Sequence, residues 1–177
     1  MNLHKIIITG PESSGKTTLC EQLSKHFNLP FSKEYAREYL DALKREYNSD
    51  DLLKIAKGQL QTENGLQLLD TDLITLKIWS EYKYGSCDKW ILTQIEKQKS
   101  EKRFYLLCKP DIAWQEDKQR ENPNDREELF EIYKQELDDL GHKYFIVEGE
   151  NRMENSILKI SPLIIHYLKS IYIFTPS

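Results

Sequence analysis

The sequence has few of the residues that build extracellular or metal-bound scaffolds. It contains three widely spaced cysteines (Cys20, Cys87 and Cys108), an odd number that fits neither a disulfide framework nor a zinc site. Its four histidines are scattered without the spacing of metal ligands. This composition favours a protein with reduced, partly buried thiols, and we expect a cytoplasmic location.

Long apolar runs and an excess of positive charge are also missing. No apolar stretch approaches the roughly 18 residues that a membrane-spanning helix needs. The amino terminus lacks the basic segment and cleavage site of a signal peptide. The formal net charge of −4 argues against a general affinity for nucleic acid or an anionic membrane. We therefore expect any anionic ligand to be held by a local cluster of side chains.

The chain does contain the material of one compact α/β domain. Its 177 residues are 39% hydrophobic, and we interpret residues 1–177 as a single domain. Short apolar runs alternate with segments of helical periodicity, which predicts a parallel five-stranded sheet flanked by helices. The predicted strands are 5–9, 31–34, 66–69, 104–108 and 144–147. A helix of about three turns follows Gly15, and further helices are predicted at 36–45, 51–61, 73–84, 88–99, 127–140 and 151–168, the last with a bend or interruption at Pro162. The tail 170–177 receives no assignment.

The loop after the first strand carries a specific phosphate-binding motif. Residues 10–17, GPESSGKT, match G-x-x-x-x-G-K-[ST] at every fixed position and lie between a strand and a helix, as the motif requires. Backbone N–H groups of such a loop bind phosphate, Lys16 reaches the terminal phosphates, and the Thr17 hydroxyl can ligate Mg²⁺. An ordinary glycine-containing turn is the disfavoured alternative. We predict that ATP is bound by Gly10, Glu12, Ser13, Ser14, Gly15, Lys16, Thr17 and Thr18.

Carboxylates end the strands that neighbour this loop. Asp70 and Asp72 can act on Mg²⁺ or bind an acceptor hydroxyl, and we assign both to the acceptor, Asp70 also to the metal and Asp72 also to catalysis. Asp72 precedes Leu73, so it can instead cap a helix. Glu34 can take the proton of an acceptor hydroxyl.

The segment after Glu34 offers a cation and two rings. Arg37 can bind phosphate, while Tyr35 and Tyr39 can wall a flat ring. The equally weighted alternative is a helix start with acidic residues near its positive end.

A charged, proline-containing segment at about 109–126 follows the fourth strand without regular periodicity. Arg120 and Arg126 can fold over a triphosphate as a lid and neutralise the transferred group. Trp114 is unusual in so polar a segment and can stack on a ring. The alternative is a solvated loop. Trp79 and Trp90 lie in helical patterns and are assigned to the core.

Four segments form a more particular pattern than the phosphate loop alone: GPESSGKTTL, KEYAREYL, DTDLITLKIWSEYKYG and YLLCKPDIAWQEDKQRENPNDREELFEIYKQEL. With them, the chain from Ile6 to about Glu150 resembles the ribosylnicotinamide kinase domain of the bacterial NadR proteins. The resemblance implies a P-loop fold like that of nucleoside monophosphate kinases. It also implies transfer of phosphate from ATP, with Mg²⁺, to the ribose 5′-hydroxyl of nicotinamide riboside, giving nicotinamide mononucleotide.

The resemblance extends to residue roles. It implies a nicotinamide pocket formed with help from Trp114, Tyr35 and Tyr39, a lid carrying Arg120 and Arg126, and a riboside near Glu34 and Asp72. Two departures stand out: region 61–69 is shorter than expected, and the chain begins at the kinase strand. Many NadR proteins carry adenylyltransferase and DNA-binding domains ahead of it; if this chain is the full protein, we expect neither activity by those parts. The open alternatives are a kinase for another nucleoside or nucleotide and a nucleotide-binding switch that acts through a partner.

Overall fold

The computed structural model describes residues 4–172, and it describes side chains as far as Ile164. Residues 173–177, the end of the tail that received no assignment, lie outside this range. The strands are β1 Lys5–Thr9, β2 Phe31–Ser32, β3 Leu68–Asp70, β4 Arg103–Cys108 and β5 Lys143–Val147. The helices are α1 Lys16–Phe27, α2 Tyr35–Ala42, α3 Ser49–Thr62, α4 Leu73–Tyr84, α5 Lys89–Gln98, α6 Arg126–Asp139 and α7 Arg152–Tyr172.

All five strands belong to one parallel sheet with the order β2-β3-β1-β4-β5. The central strand, β1, is bonded to β3 on one side and β4 on the other. Parallel neighbours need crossover connections, and the intervening helices supply them. The predicted parallel five-stranded sheet flanked by helices is confirmed.

The helices cover both faces of the sheet. Ile6, Ile7 and Ile8 of β1 are all completely buried, because alternate side chains of a strand point to opposite faces. Ile6 and Ile8 pack with α1 and α7, whereas Ile7 packs with the layer formed by α2 to α6. This double layer fixes the end of β1, from which the phosphate-binding loop starts.

The differences from the predicted boundaries lie mostly at element ends. β2 stops at Ser32, because Glu34 takes the position before the first residue of α2. α7 runs on through Pro162, where a bend or interruption was predicted. Residues 109–125 contain no strand or helix, in line with their lack of periodicity. Within residues 4–172, no helix is both long and apolar enough to cross a membrane.

Candidate functional site

A cavity opens at the carboxyl edge of the sheet, the edge where parallel α/β sheets bind ligands. The phosphate-binding loop and the start of α1 form its floor. Side chains from α2, α4, α6 and the segment 109–125 form its walls. The wall residues are Glu34, Ala36, Arg37, Leu40, Thr75, Ile78, Trp79, Tyr82, Ile112, Gln115, Gln119, Arg120, Asn122, Leu129 and Tyr133.

The loop 10–15 adopts a conformation that requires glycine. Gly10 has φ 134° and Gly15 has φ 83°. A Cβ atom on Gly10 would stand 2.5 Å from the carbonyl oxygen of Cys108, which is too close for any side chain. α1 begins directly after Gly15, so its positive end faces the cavity. The Lys16 ammonium lies over the loop, where Nζ donates to the Pro11 carbonyl at 2.7 Å.

The predicted metal ligands Thr17 and Asp70 lie side by side. Thr17 Oγ1 donates to Asp70 Oδ2 at 2.7 Å, and Asp70 Oδ1 is buried with no hydrogen-bond partner in the described part of the chain. Burial, helped by the charge of Glu34, raises the pKa of Asp70 to about 6. A hydroxyl beside an unsatisfied buried carboxylate is the oxygen donor set that Mg²⁺ prefers. The two residues therefore fit this ion.

Glu34 lies in the cavity wall before the first turn of α2. Its carboxylate does not cap the helix, and among the described residues it has no hydrogen bond or ion pair. It is near enough to Asp70 to contribute to the raised pKa of that group. The predicted proton acceptor is therefore available in the cavity.

The aromatic part of the wall comes from helices to which the sequence analysis gave no substrate contact. Trp79 and Tyr82 of α4 and Tyr133 of α6 line the cavity. Trp79 Nε1 donates to the hydroxyl of Tyr47 at 2.9 Å, which fixes the indole plane. The assignment of Trp79 to the core was therefore incomplete. Thr75, Ile78, Trp79 and Tyr82 recur at helical spacing, and this pattern marks one continuous face of α4.

Tyr35 and Tyr39 do not line the cavity, so their prediction as walls of a substrate ring is corrected. Tyr35 packs on α3 so closely that a Cβ on Gly58 would stand 2.1 Å from its ring. Tyr39 donates its hydroxyl to Asp51 at 2.8 Å. Because a helix turns about 100° per residue, Ala36 and Leu40 face the cavity instead.

Asp72 is not in the cavity wall, so its prediction as a catalytic and substrate-binding residue is also corrected. Its Oδ1 accepts from the backbone N–H of Ile74 at 3.0 Å and caps α4. Its Oδ2 accepts from Arg103 Nη1 at 3.0 Å and from the Tyr105 hydroxyl at 2.8 Å. The side chain is completely buried. The alternative that the sequence left open, a helix cap, is the observed arrangement.

Trp114 lies outside the cavity wall, contrary to its predicted contact with a substrate ring. Its indole lies against the guanidinium groups of Arg120 and Arg126, with Cζ atoms 6.0 and 5.6 Å from the ring centroid. The guanidinium groups of these two arginines also donate hydrogen bonds to backbone carbonyl oxygens. Arg126 Nη1 donates to Ser13 O at 3.2 Å and to Ile112 O at 3.0 Å.

Arg152 was missed as a residue that shapes the loop. It stands at the start of α7, where Nη1 donates to Ser14 O at 2.8 Å and Nη2 donates to Lys109 O at 2.6 Å. Its guanidinium also pairs with Asp111. An arginine at the carboxyl edge of the last strand was the sequence pattern that could have indicated this contact.

The segment 109–125 is fastened to the phosphate-binding loop. Glu12 Oε2 accepts from the backbone N–H groups of Glu121 and Asn122 at 2.9 and 3.0 Å. Ser13 Oγ accepts from the N–H of Gln115 at 3.0 Å. Because these bonds tie the loop to the segment, the segment covers one side of the cavity, in the position expected of a lid.

The same segment is fastened to α2 by charges. Arg37 Nη1 pairs with Asp117 Oδ2 at 2.8 Å, and Lys118 Nζ pairs with Asp41 Oδ1 at 2.7 Å. Both pairs are exposed to solvent, so each contributes little to stability. The segment is held by several weak polar contacts, which is a suitable arrangement for an element that opens and closes.

The AAA domain family (AAA_28) matches residues 5–154. The chain belongs to this family. It is 26% identical over 161 residues to the trifunctional NAD biosynthesis/regulator protein NadR of Escherichia coli (strain K12), an alignment that covers 82% of this chain and 38% of that protein. For the NadR protein of Salmonella typhimurium (strain LT2), the identity is 25% over 120 residues, covering 62% of this chain and 29% of that protein.

Solved structures give the same picture. A NadR protein crystallised in complex with NR is similar with a TM-score of 0.74 and 26% identity, covering 92% of this chain and 52% of that chain. A deoxyadenosine kinase from M. mycoides is similar in fold, with a TM-score of 0.56 and 18% identity over 94% of this chain and 99% of that chain. The chain thus spans about half or less of the NadR proteins it matches. Its resemblance to the NadR kinase domain and its P-loop, nucleoside-monophosphate-kinase-like fold are confirmed.

Proposed function

We propose that this chain is a kinase that transfers the γ-phosphoryl group of ATP to the 5′-hydroxyl of nicotinamide riboside, giving nicotinamide mononucleotide. One observation carries the proposal: the phosphate-binding loop, the carboxylate of Glu34 (unpaired among the described residues) and an aromatic wall belong to a single cavity. A pure ATPase switch has no use for such a wall. The similarity to a NadR protein crystallised with NR supports the choice of acceptor.

The triphosphate is held by the loop 10–15 and the positive end of α1. Lys16, which donates to Pro11 O at 2.7 Å, exchanges that bond for one with the β- and γ-phosphate oxygens. Thr17 and Asp70 are the residues that would hold Mg²⁺, which would supply positive charge to the triphosphate. The unsatisfied Oδ1 of Asp70 supports this assignment.

The acceptor is held by the aromatic wall and oriented towards Glu34. Trp79 and Tyr82 line the cavity, and a cationic nicotinamide ring stacked on an aromatic face is favoured by about 0.5–2 kcal/mol over a neutral one. The 5′-oxygen forms a bond to the γ-phosphorus while the bond from that phosphorus to the bridging oxygen of ADP breaks. The hydroxyl proton passes to the Glu34 carboxylate, and ADP leaves.

Product analysis with a panel of acceptors tests this proposal. The chain is incubated with ATP and Mg²⁺ plus nicotinamide riboside, deoxyadenosine, deoxycytidine or no acceptor, and the nucleotides are separated by chromatography. We expect nicotinamide mononucleotide and ADP in equal amounts with the riboside, and little ADP without it. Lys16→Ala should abolish both products.

The other outcomes identify the competing functions. ADP release that no nucleoside changes would indicate a switch. Faster transfer to a deoxynucleoside would keep the kinase and replace the acceptor.

A further inference from the structure

Most cationic side chains around the phosphate-binding loop are engaged with backbone carbonyl oxygens. Arg126 donates to Ser13 O and Arg152 donates to Ser14 O. Arg120 donates to a carbonyl within its own segment. These contacts hold the loop and the segment 109–125 in shape.

Arg37 is placed differently. It lines the cavity from the first turn of α2, three residues after Glu34. Its Nη1 donates to Asp117 Oδ2 at 2.8 Å. In the described part of the chain, its Nε and Nη2 donors have no hydrogen-bond partner, and its side chain is 47% exposed.

Arg37 lines the same cavity as Glu34, and Lys16 lies on the floor of that cavity. The bond to Asp117, followed by the charge of Asp117 and of Glu34, raises the pKa of Arg37 itself, so the side chain stays charged. A guanidinium with free donors in a planar fork matches the geometry of phosphoryl oxygens.

We propose that Arg37 is a catalytic residue that contacts the transferred phosphoryl group and neutralises its charge in the transition state, with Asp117 as its positioning residue. The proposal rests on the proposed function. In this arrangement α2 contributes the guanidinium group of Arg37, and the segment 109–125 contributes the carboxylate of Asp117 that positions it. Closure of the segment and completion of the catalytic site are thereby one event.

The experiment compares Arg37→Ala with Asp41→Asn, a matched control. Asp41 lies one turn further along α2 and binds the same segment through Lys118 at 2.7 Å and Gln119 at 2.9 Å. Arg37→Ala should lower kcat by about 10²–10³-fold and leave the KM values for ATP and the acceptor nearly unchanged. Added guanidinium should restore part of the turnover. Asp41→Asn should keep nearly full turnover.

Asp117→Asn tests the positioning role. It should lower kcat less than Arg37→Ala does, and the double variant should be no slower than Arg37→Ala alone, because the two residues act as a unit. Equal losses in Arg37→Ala and Asp41→Asn, with raised KM values, would overturn the proposal and leave Arg37 as a fastener of the segment.

A binding measurement separates this inference from the identity of the acceptor. ADP with aluminium fluoride mimics the transferred phosphoryl group and needs no acceptor. By calorimetry, Arg37→Ala should weaken its binding by at least about 10²-fold while ADP alone binds as in the wild type. Equal binding of the analogue overturns the role of Arg37. If Arg37→Ala weakens binding of the analogue but the wild-type protein does not phosphorylate nicotinamide riboside, only the proposed acceptor is overturned.

Discussion

Asp70 and Asp72 stand two residues apart and are both withdrawn from solvent, yet the fold treats them in opposite ways. Asp70 keeps one oxygen without a partner and shares the other with Thr17. Asp72 has both oxygens occupied, by a helix N–H group, by Arg103 and by Tyr105. Asp70 therefore keeps an oxygen that can accept a ligand, whereas both oxygens of Asp72 are bonded within the protein.

The difference shows what separates a functional from a structural acidic group. Both residues are buried, and burial of a charge is unfavourable unless the charge is paired. In Asp72 the pairing is complete within the protein. In Asp70 it is incomplete, and burial raises the pKa to about 6. The proposed function assigns this incomplete pairing at Asp70 to Mg²⁺.

The largest effect is expected from Asp70→Asn. Because the neutral amide lacks the charge with which the carboxylate would hold Mg²⁺, kcat should fall by at least about 10²-fold. The free energy of unfolding should stay the same or rise, because an unpaired buried charge is removed. Steady-state kinetics and urea unfolding of the same preparation measure both. A large loss of stability with normal turnover would show that Asp70, like Asp72, belongs to the scaffold.

Asp72→Asn should give the opposite pattern. It removes one of the carboxylate partners of the buried Arg103, which keeps Glu63 and Glu101, and it should cost about 1–3 kcal/mol. Turnover of the folded protein should stay within a few-fold of wild type. Tyr105→Phe is the matched control, because it removes one neutral donor from the same oxygen and should cost only about 1 kcal/mol. A stable Asp72→Asn protein without turnover would return Asp72 to the active site.

The sequence was sufficient wherever structure is determined locally. The phosphate-binding loop is a contiguous motif, and α4 was predicted with the bounds Leu73–Tyr84 that it has in the structure. The structural role of Asp72 could not be predicted from a local pattern, because its partners Arg103 and Tyr105 lie 31 and 33 residues further along the chain. No local pattern shows that a distant arginine will be buried beside it.

The aromatic residues show a second limit of the same kind. Tyr35 and Tyr39 follow a candidate catalytic carboxylate, but the face of α2 that carries them is set by the packing of α3. Trp114 was predicted to contact a substrate ring because its sequence neighbours are polar. In the structure, its indole lies against the guanidinium groups of two arginines instead. Trp79 was assigned to the core for its helical pattern, although a helix at the edge of a cavity serves both the core and the site.

A smaller effect is expected from Trp79→Leu, which removes a ring face but keeps an apolar side chain. The KM for nicotinamide riboside should rise about 10-fold, equivalent to ~1.4 kcal/mol, while the KM for ATP stays nearly constant. Trp114→Leu and Trp90→Leu are controls outside the cavity wall and should leave the riboside KM unchanged. If Trp114→Leu alone raises it, the predicted contact of Trp114 with the substrate ring was right.

The smallest effect concerns Asp51, a paired carboxylate that tests whether the behaviour of Asp72 is general. Arg45 donates to both of its oxygens, at 2.6 and 2.9 Å, and its side chain completes the N-terminal cap of α3 with Asn48. These contacts, led by the bond from Arg45, hold the pKa of Asp51 well below its ordinary value. Asp51→Asn should cost on the order of 1 kcal/mol near pH 6.

The pH dependence of that cost has a definite sign. Below the ordinary aspartate pKa the unfolded chain binds a proton that the folded protein does not, so the contribution of Asp51 is present above that pKa and is lost as the pH falls through and below it. The difference in unfolding free energy between wild type and Asp51→Asn should therefore shrink from pH 6 to pH 3. Asp50→Asn, an exposed change in the same helical turn, should show no such trend. A difference that is constant with pH would mean that Asp51 acts through the geometry of the cap, with no stabilisation from its charge.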